Sequence, residues 1–159
     1  MHTRKIIGLI TWVVVCMAAG VIGSQFQPGE WYASLAKPAW NPPDWVFAPV
    51  WTTLYVMMAV AAWLVWYRAG FSGAGYALSL FVVQLALNAL WSYLFFGLMR
   101  PDFAFLEILV LWTVILIVTF FFWHESPMAG ALMIPCLSWV GFATYLNFVL
   151  WQINRIPPA

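Results

Sequence analysis

Five stretches of this chain are nearly free of charge, and each is long enough to cross a bilayer. Residues 6–29, 45–67, 69–99 and 126–154 contain no Asp, Glu, Lys or Arg, and 103–123 contains one acid, Glu107. Crossing ~30 Å of hydrocarbon takes ~20 helical residues at ~1.5 Å each. Backbone inside hydrocarbon must satisfy its own hydrogen bonds, which leaves helices or closed barrels. None of the runs alternates with period two, which excludes barrel strands. The chain therefore reads as an all-α membrane protein. One domain over 1–159 forms a bundle of five transmembrane helices, with spans about 6–26, 45–67, 75–98, 103–123 and 128–152.

Composition supports this and excludes other classes. Hydrophobic residues make up 65% of the chain and charged residues 7%, where a soluble domain runs near a quarter charged. A net charge of +1 without a basic run excludes nucleic acid as a partner. The partners to expect are lipid, other helices and apolar molecules. Cys16 and Cys136 lie singly in apolar runs, as small packing residues rather than a disulfide framework or metal site. The opening MHTRK before an apolar run resembles a signal peptide. Its apolar core exceeds the usual ~7–15 residues, so a retained span is expected. No internal repeat is visible, and five helices do not divide into inverted halves, which argues against alternating access.

Connections are short except one. Residues 27–45, QPGEWYASLAKPAWNPPDW, hold four prolines, three Trp, and Glu30, Lys37 and Asp44. Proline discourages a continuous helix, while the aromatics argue against a solvated linker. A structured loop over about 27–44, capping the bundle, is the expectation. With the N-terminal face called side A, that side receives Arg4, Lys5 and Arg68. Side B, with the loop, receives Lys37, Arg100 and Arg155. With this tie, the positive-inside rule leaves the orientation open.

Polar and aromatic residues line up towards side B. Trp51 and Tyr55 share a face of the second span at i, i+4. Gln84, Asn88, Trp91, Ser92 and Phe95 form a stripe on the third, and Trp139, Ala143 and Asn147 one on the fifth. Amides and indole N–H groups in hydrocarbon need partners, so these stripes should face inward. They describe either an aromatic-walled small-molecule cavity with a few polar fixtures, or helices bonded to one another through Gln84, Asn88 and Asn147. The convergence of three stripes below an aromatic loop favours the cavity. Glu107 is a functional candidate as an intramembrane acid, although it lies close enough to pair with Arg100. The histidines, His2 and His124, exclude bis-histidine haem ligation. No nucleophilic triad, phosphate loop or metal-ligand cluster is present, so neither metal nor cofactor is expected.

Three ordered blocks carry a resemblance: WYASLAKPAWNPPDWVFAPVW at 31–51, NALWSYLFFG at 88–97 and MIPCLSWVGFATYLNF at 133–148. They resemble the TspO/MBR family, the bacterial tryptophan-rich sensory proteins and the mitochondrial translocator protein. The resemblance implies a five-helix bundle, often a homodimer, with a ligand cavity under the first loop. Family members bind porphyrins, notably protoporphyrin IX, and isoquinoline carboxamide or benzodiazepine drugs, and are linked to tetrapyrrole and sterol handling. Carried over by motif, the ligand-binding positions are Tyr32, Trp51, Tyr55, Asn88, Trp91, Trp139 and Ala143. Glu107 falls where the family usually has Asp. The eukaryotic sterol pattern ends in Tyr and Arg where this chain has Phe148 and Gln152, so a tetrapyrrole rather than cholesterol is the expected ligand; a bacterial membrane protein is expected. The reversed pattern at Arg100, Phe103 and Leu106 is a weak signal.

The expectation is a multi-pass membrane receptor or sensor that binds protoporphyrin IX-like tetrapyrroles. One alternative is a Trp-dependent, light-driven protoporphyrin-degrading enzyme using Trp51 and Trp139. Another is a sterol or porphyrin transporter. For association, Gly75/Ser79 and Ala19/Gly23 are small pairs that permit close helix contact, and the resemblance favours the third span as the dimer face.

Overall fold

The computed structural model describes residues 2–155. Its elements are α1 (His2–Gly23), a short α2 (Glu30–Ser34), α3 (Asp44–Ser92), a π-helical turn (Tyr93–Gly97), α4 (Pro101–Glu125) and α5 (Pro127–Ile153). No strand occurs among the described residues. Pro101 and Pro127 open α4 and α5, where a missing N–H costs nothing and a fixed φ helps. Ser126 caps α5 by accepting the Ala129 amide at 3.4 Å.

The helical stretch Asp44–Gly97 is 54 residues long, ~80 Å if straight, far beyond one bilayer. It is folded in two. Gly70 has φ 64° and ψ −173°, a backbone state that glycine reaches without a Cβ clash. The fold is proved by Gln84, whose Nε2 lies 3.4 Å from Sδ of Met58, 26 residues earlier; a straight helix would hold them ~39 Å apart. The second and third predicted spans are thus the two limbs of one helical hairpin. Together with α1, α4 and α5 they make the five-helix bundle expected from the charge-free runs.

Contacts give the packing order. Trp63 donates its indole N–H to the Lys5 carbonyl (3.0 Å) and the Tyr55 ring crosses Gly20, so α1 runs antiparallel to the first limb of α3. Trp12 meets Phe81 edge-on at 5.7 Å, which places the second limb on its other flank. Tyr76 meets Phe121 and Phe81 stacks on Phe122, bringing in α4. Trp112 then bonds the Leu137 carbonyl of α5 at 3.2 Å. Between helices in lipid, burial gives no water-driven gain, so small residues and hydrogen bonds hold the pairs. Gly23 serves this way: a Cβ there would lie 3.4 Å from Oγ of Ser92. The Ala19/Gly23 pair is therefore spent on packing within the bundle. Cys16 and Cys136 are free thiols with no exposure.

The pairing of Glu107 with Arg100 that their closeness in sequence allowed does not form. Arg100 makes a bidentate pair with Asp102, two residues on, at 2.6 and 2.9 Å. Both Glu107 carboxyl oxygens are buried without a partner among the described residues. Near the same end the π-helical turn fits one extra residue into the helix. It turns Phe95 fully inward, while the next residue, Phe96, reaches a cavity beneath the first loop.

Candidate functional site, a lidded intramembrane cavity

The loop between α1 and α3 is a folded lid. Lys37 gives its ammonium to the carbonyls of Tyr32 (2.6 Å), Ala33 (3.3 Å) and Leu35 (3.4 Å), finishing α2 as a cation finishes a helix C-terminus. The same ammonium lies 4.6 Å over the Tyr32 ring. Trp31 and Tyr32 pack on Phe95, and Trp40 stacks on Tyr145 at 5.4 Å. Asn154, past the end of α5, clasps the Ala36 backbone with two hydrogen bonds, accepting its N–H at 2.9 Å and donating to its carbonyl at 3.0 Å. Tyr32 is 4% exposed. Burial pushes its phenol above the usual range, against the hydrogen bond to Asn41, so it stays a neutral hydroxyl at ordinary pH.

Beneath the lid lies a cavity of about 460 Å³, within the size range of small-molecule sites. All seven residues singled out from the sequence are brought together here. Tyr32 comes from the lid, Trp51 and Tyr55 from the first limb, Asn88 and Trp91 from the second, and Trp139 and Ala143 from α5. The rest of the wall includes α1 residues that the sequence pattern did not bring forward, Met17, Gly20 and Val21, with Phe47 and Phe96. The i, i+3, i+4 spacing around Gly20 was the signal for them. A Cβ at Gly20 would stand 2.9 Å from the Tyr55 ring, so the missing side chain lets that ring lie against α1.

The polar groups divide into tethers and fixtures. Asn147 accepts the Trp91 indole N–H at 3.0 Å and donates to the Pro101 carbonyl at 2.8 Å. Gln84 accepts from Asn88 at 3.1 Å. Neither Asn147 nor Gln84 lines the cavity. For these two the helix-bonding alternative is the correct one. Asn88 lines the cavity with its Nδ2 already used on Gln84 and its Oδ1 without a partner among the described residues. The indole N–H groups of Trp51 and Trp139 make no hydrogen bond among the described residues. The one charged side chain on the wall is Asp44, at the mouth.

A bundle of membrane-crossing helices around a lidded aromatic cavity defines the class, a multi-pass helical membrane protein with an enclosed pocket. The TspO/MBR family model matches residues 12–152. The chain belongs to that family. It is 40% identical to the tryptophan-rich protein TspO of Chlorobaculum tepidum, covering 95% of this chain and 98% of the relative. It is 39% identical to the tryptophan-rich sensory protein of Cereibacter sphaeroides, over 91% and 90% of the two chains. It is equally 39% identical to the translocator protein of Ovis aries, over 92% and 89%. Near-equal identity to bacterial and mammalian relatives does not establish the expected bacterial source.

Proposed function

We propose that this member of a family of membrane sensors and translocators binds a porphyrin-like tetrapyrrole in the lidded cavity and signals its occupancy through the lid. The observation that carries this is the convergence of seven aromatic, amide and small residues from the lid, both limbs of α3 and α5 on one cavity. Trp51, Trp91 and Trp139 offer flat apolar faces for a macrocycle, worth ~0.5–1.5 kcal/mol per aromatic contact beyond area. Asn88 Oδ1 and the two unpaired indole N–H groups supply direction. Protoporphyrin IX titrated into the detergent-solubilised protein should quench Trp fluorescence saturably at one site per chain. Linear, unsaturable quenching would remove the reading.

One observation favours a second reading, porphyrin degradation. Trp51 and Trp139 both reach the cavity wall, and an indole beside an illuminated porphyrin can give up an electron. An indole that has given up an electron in this way is consumed unless it is restored. Loss of porphyrin is therefore expected to need light and Trp and to stay near one molecule per chain. Many turnovers in darkness by cofactor-free protein would establish the enzyme instead. For association, the second limb of α3 is the proposed homodimer face, since a Cβ at Gly75 meets nothing within 4 Å. Cholesterol is not proposed as a ligand.

A further inference from the structure

A second cavity, of about 600 Å³, opens at side A, at the far end of the bundle from the lid. It is a groove along α1. Arg4, Ile7, Gly8 and Thr11 follow one another at i, i+3, i+4 and i+7 on one helical face, and Trp66 and Val82 of α3 close it. Gly8 shapes the groove: a Cβ there would overlap Cζ3 of Trp66, so its absence lets the indole lie against the helix. Ile7 and Val82 are 58% and 47% exposed, so the groove faces the acyl chains of the bilayer. Its Thr11 hydroxyl is already donated to the Ile7 carbonyl at 2.9 Å, so that hydroxyl adds no free donor to the wall.

Charge is concentrated at one end. Arg4 is the one charged side chain in the groove, its guanidinium 5.5 Å above the Trp66 ring and unpaired with any carboxylate among the described residues. Beside it Lys5 rests 4.7 Å over Tyr67, and Arg68 follows. Residues 2–23 and 45–74 contain no Asp or Glu to neutralise these three cations. Glu125, at the turn between α4 and α5 on the same side, forms no ion pair with them. A long apolar slot ending in an uncompensated cation at the membrane surface matches one kind of molecule. It needs an acyl chain for the slot and an anion for the end. A guanidinium holds phosphate through two parallel N–H groups, and basic pockets between membrane helices are established head-group sites. A soluble phosphate would gain nothing from the slot.

We infer that the α1/α3 groove at side A binds an anionic membrane lipid, one acyl chain against Gly8 and Trp66 and the headgroup phosphate on Arg4. Nothing in it depends on the lidded cavity or its ligand.

Native mass spectrometry of the full chain in detergent, with dioleoyl phosphatidylglycerol or dioleoyl phosphatidylcholine added, tests this directly. The anionic lipid should be retained at about fivefold lower concentration than the zwitterionic one. Arg4→Gln should abolish that preference, and Arg155→Gln, on side B, should keep it. Thr11→Trp, which fills the slot, should weaken retention of both lipids. Phosphatidylglycerol with brominated chains reads the contact without altering the groove. It should quench Trp emission in the native chain at concentrations that leave Arg4→Gln unquenched. Equal retention of the two lipids, or a preference that survives Arg4→Gln, overturns the assignment.

Discussion

The two ends of this bundle handle the same difficulty in opposite ways. At side B a long aromatic loop folds down on the helices, bonds to the last turn of α5 and closes over a cavity with polar fixtures. At side A the helices turn sharply, at Gly70 and at Ser126, with no chain left over to cover anything. The cavity there stays an apolar groove open to lipid. The difference shows that helices alone provide walls, and that a spare connecting segment is needed to make an enclosed site. It also shows which polar groups matter where. Those at side B are split between holding helices together and facing the cavity, while the single charge in the side-A groove faces the membrane surface.

The largest expected effect comes from filling the enclosed end. Ala143→Phe should abolish measurable porphyrin binding by fluorescence titration while the protein stays monodisperse, because a ring there occupies space the ligand needs. Unchanged affinity would take Ala143 out of the wall. Next in size, Trp51→Ala and Trp139→Ala should each weaken binding about tenfold, the equivalent of ~1.4 kcal/mol. Trp66→Ala, in the side-A groove, should leave porphyrin affinity untouched. Equal losses in all three would mean that general destabilisation, rather than a site at one end, explains the effect. Phe at positions 51 and 139 should keep much of the binding but slow any photochemical loss of porphyrin, measured as product per chain in light and in darkness.

A smaller effect separates tether from fixture. Asn147→Leu deletes two hydrogen bonds inside the bundle and should cost about 1–2 kcal/mol of stability, read as a lower thermal midpoint. Its porphyrin affinity should move less than about threefold. Asn88→Leu should show the reverse emphasis, with the larger change in affinity. The smallest effect is electrostatic. Asp44 is exposed at the mouth, and the nearby Lys37 is fully engaged by three carbonyls. A porphyrin dicarboxylate therefore meets one negative charge and no free cation from the lid. Asp44→Asn should tighten its binding about threefold at low salt, with the gain fading as salt is added. The dimethyl ester should show no such gain.

Much of this was legible in the sequence because hydrocarbon is an unforgiving solvent. A charge-free run of ~20 residues has few alternatives to a membrane helix, so the spans could be read without neighbours. Six of the seven cavity residues were legible for a related reason, since amides and indoles on one helical face must turn inward; Tyr32, in the lid, came from the family resemblance alone. Periodicity gives the angle of a residue around its own helix, however, and not the identity of the helix opposite. That is why Gln84 and Asn147 looked like Asn88 until Met58, Trp91 and the Pro101 carbonyl were seen across from them. Glu107 was offered Arg100 on proximity in sequence, but Asp102 is nearer and forms a two-point pair. The side-A groove depends on Gly8 meeting Trp66 across 58 positions, a register that no local pattern encodes.

The clasp between Asn154 and Ala36 joins segments 118 residues apart in the chain. During synthesis the lid emerges early, yet its anchor beyond α5 is made only later, so the lid can seat only after α1, α3, α4 and α5 have entered the membrane. The clasp's hydrogen bonds lie in a partly water-exposed region, unlike the helical ladders within lipid. Such a unit opens by local unfolding at a fraction of the free energy needed to separate the helices. In hydrogen–deuterium exchange the Ala36 amide should exchange well before those around Phe81 or Phe122, and Asn154→Ala should speed it further while leaving the helical amides protected. Ligand exchange through this end would then run at the pace of that small, late-folding piece, with the bundle itself staying shut.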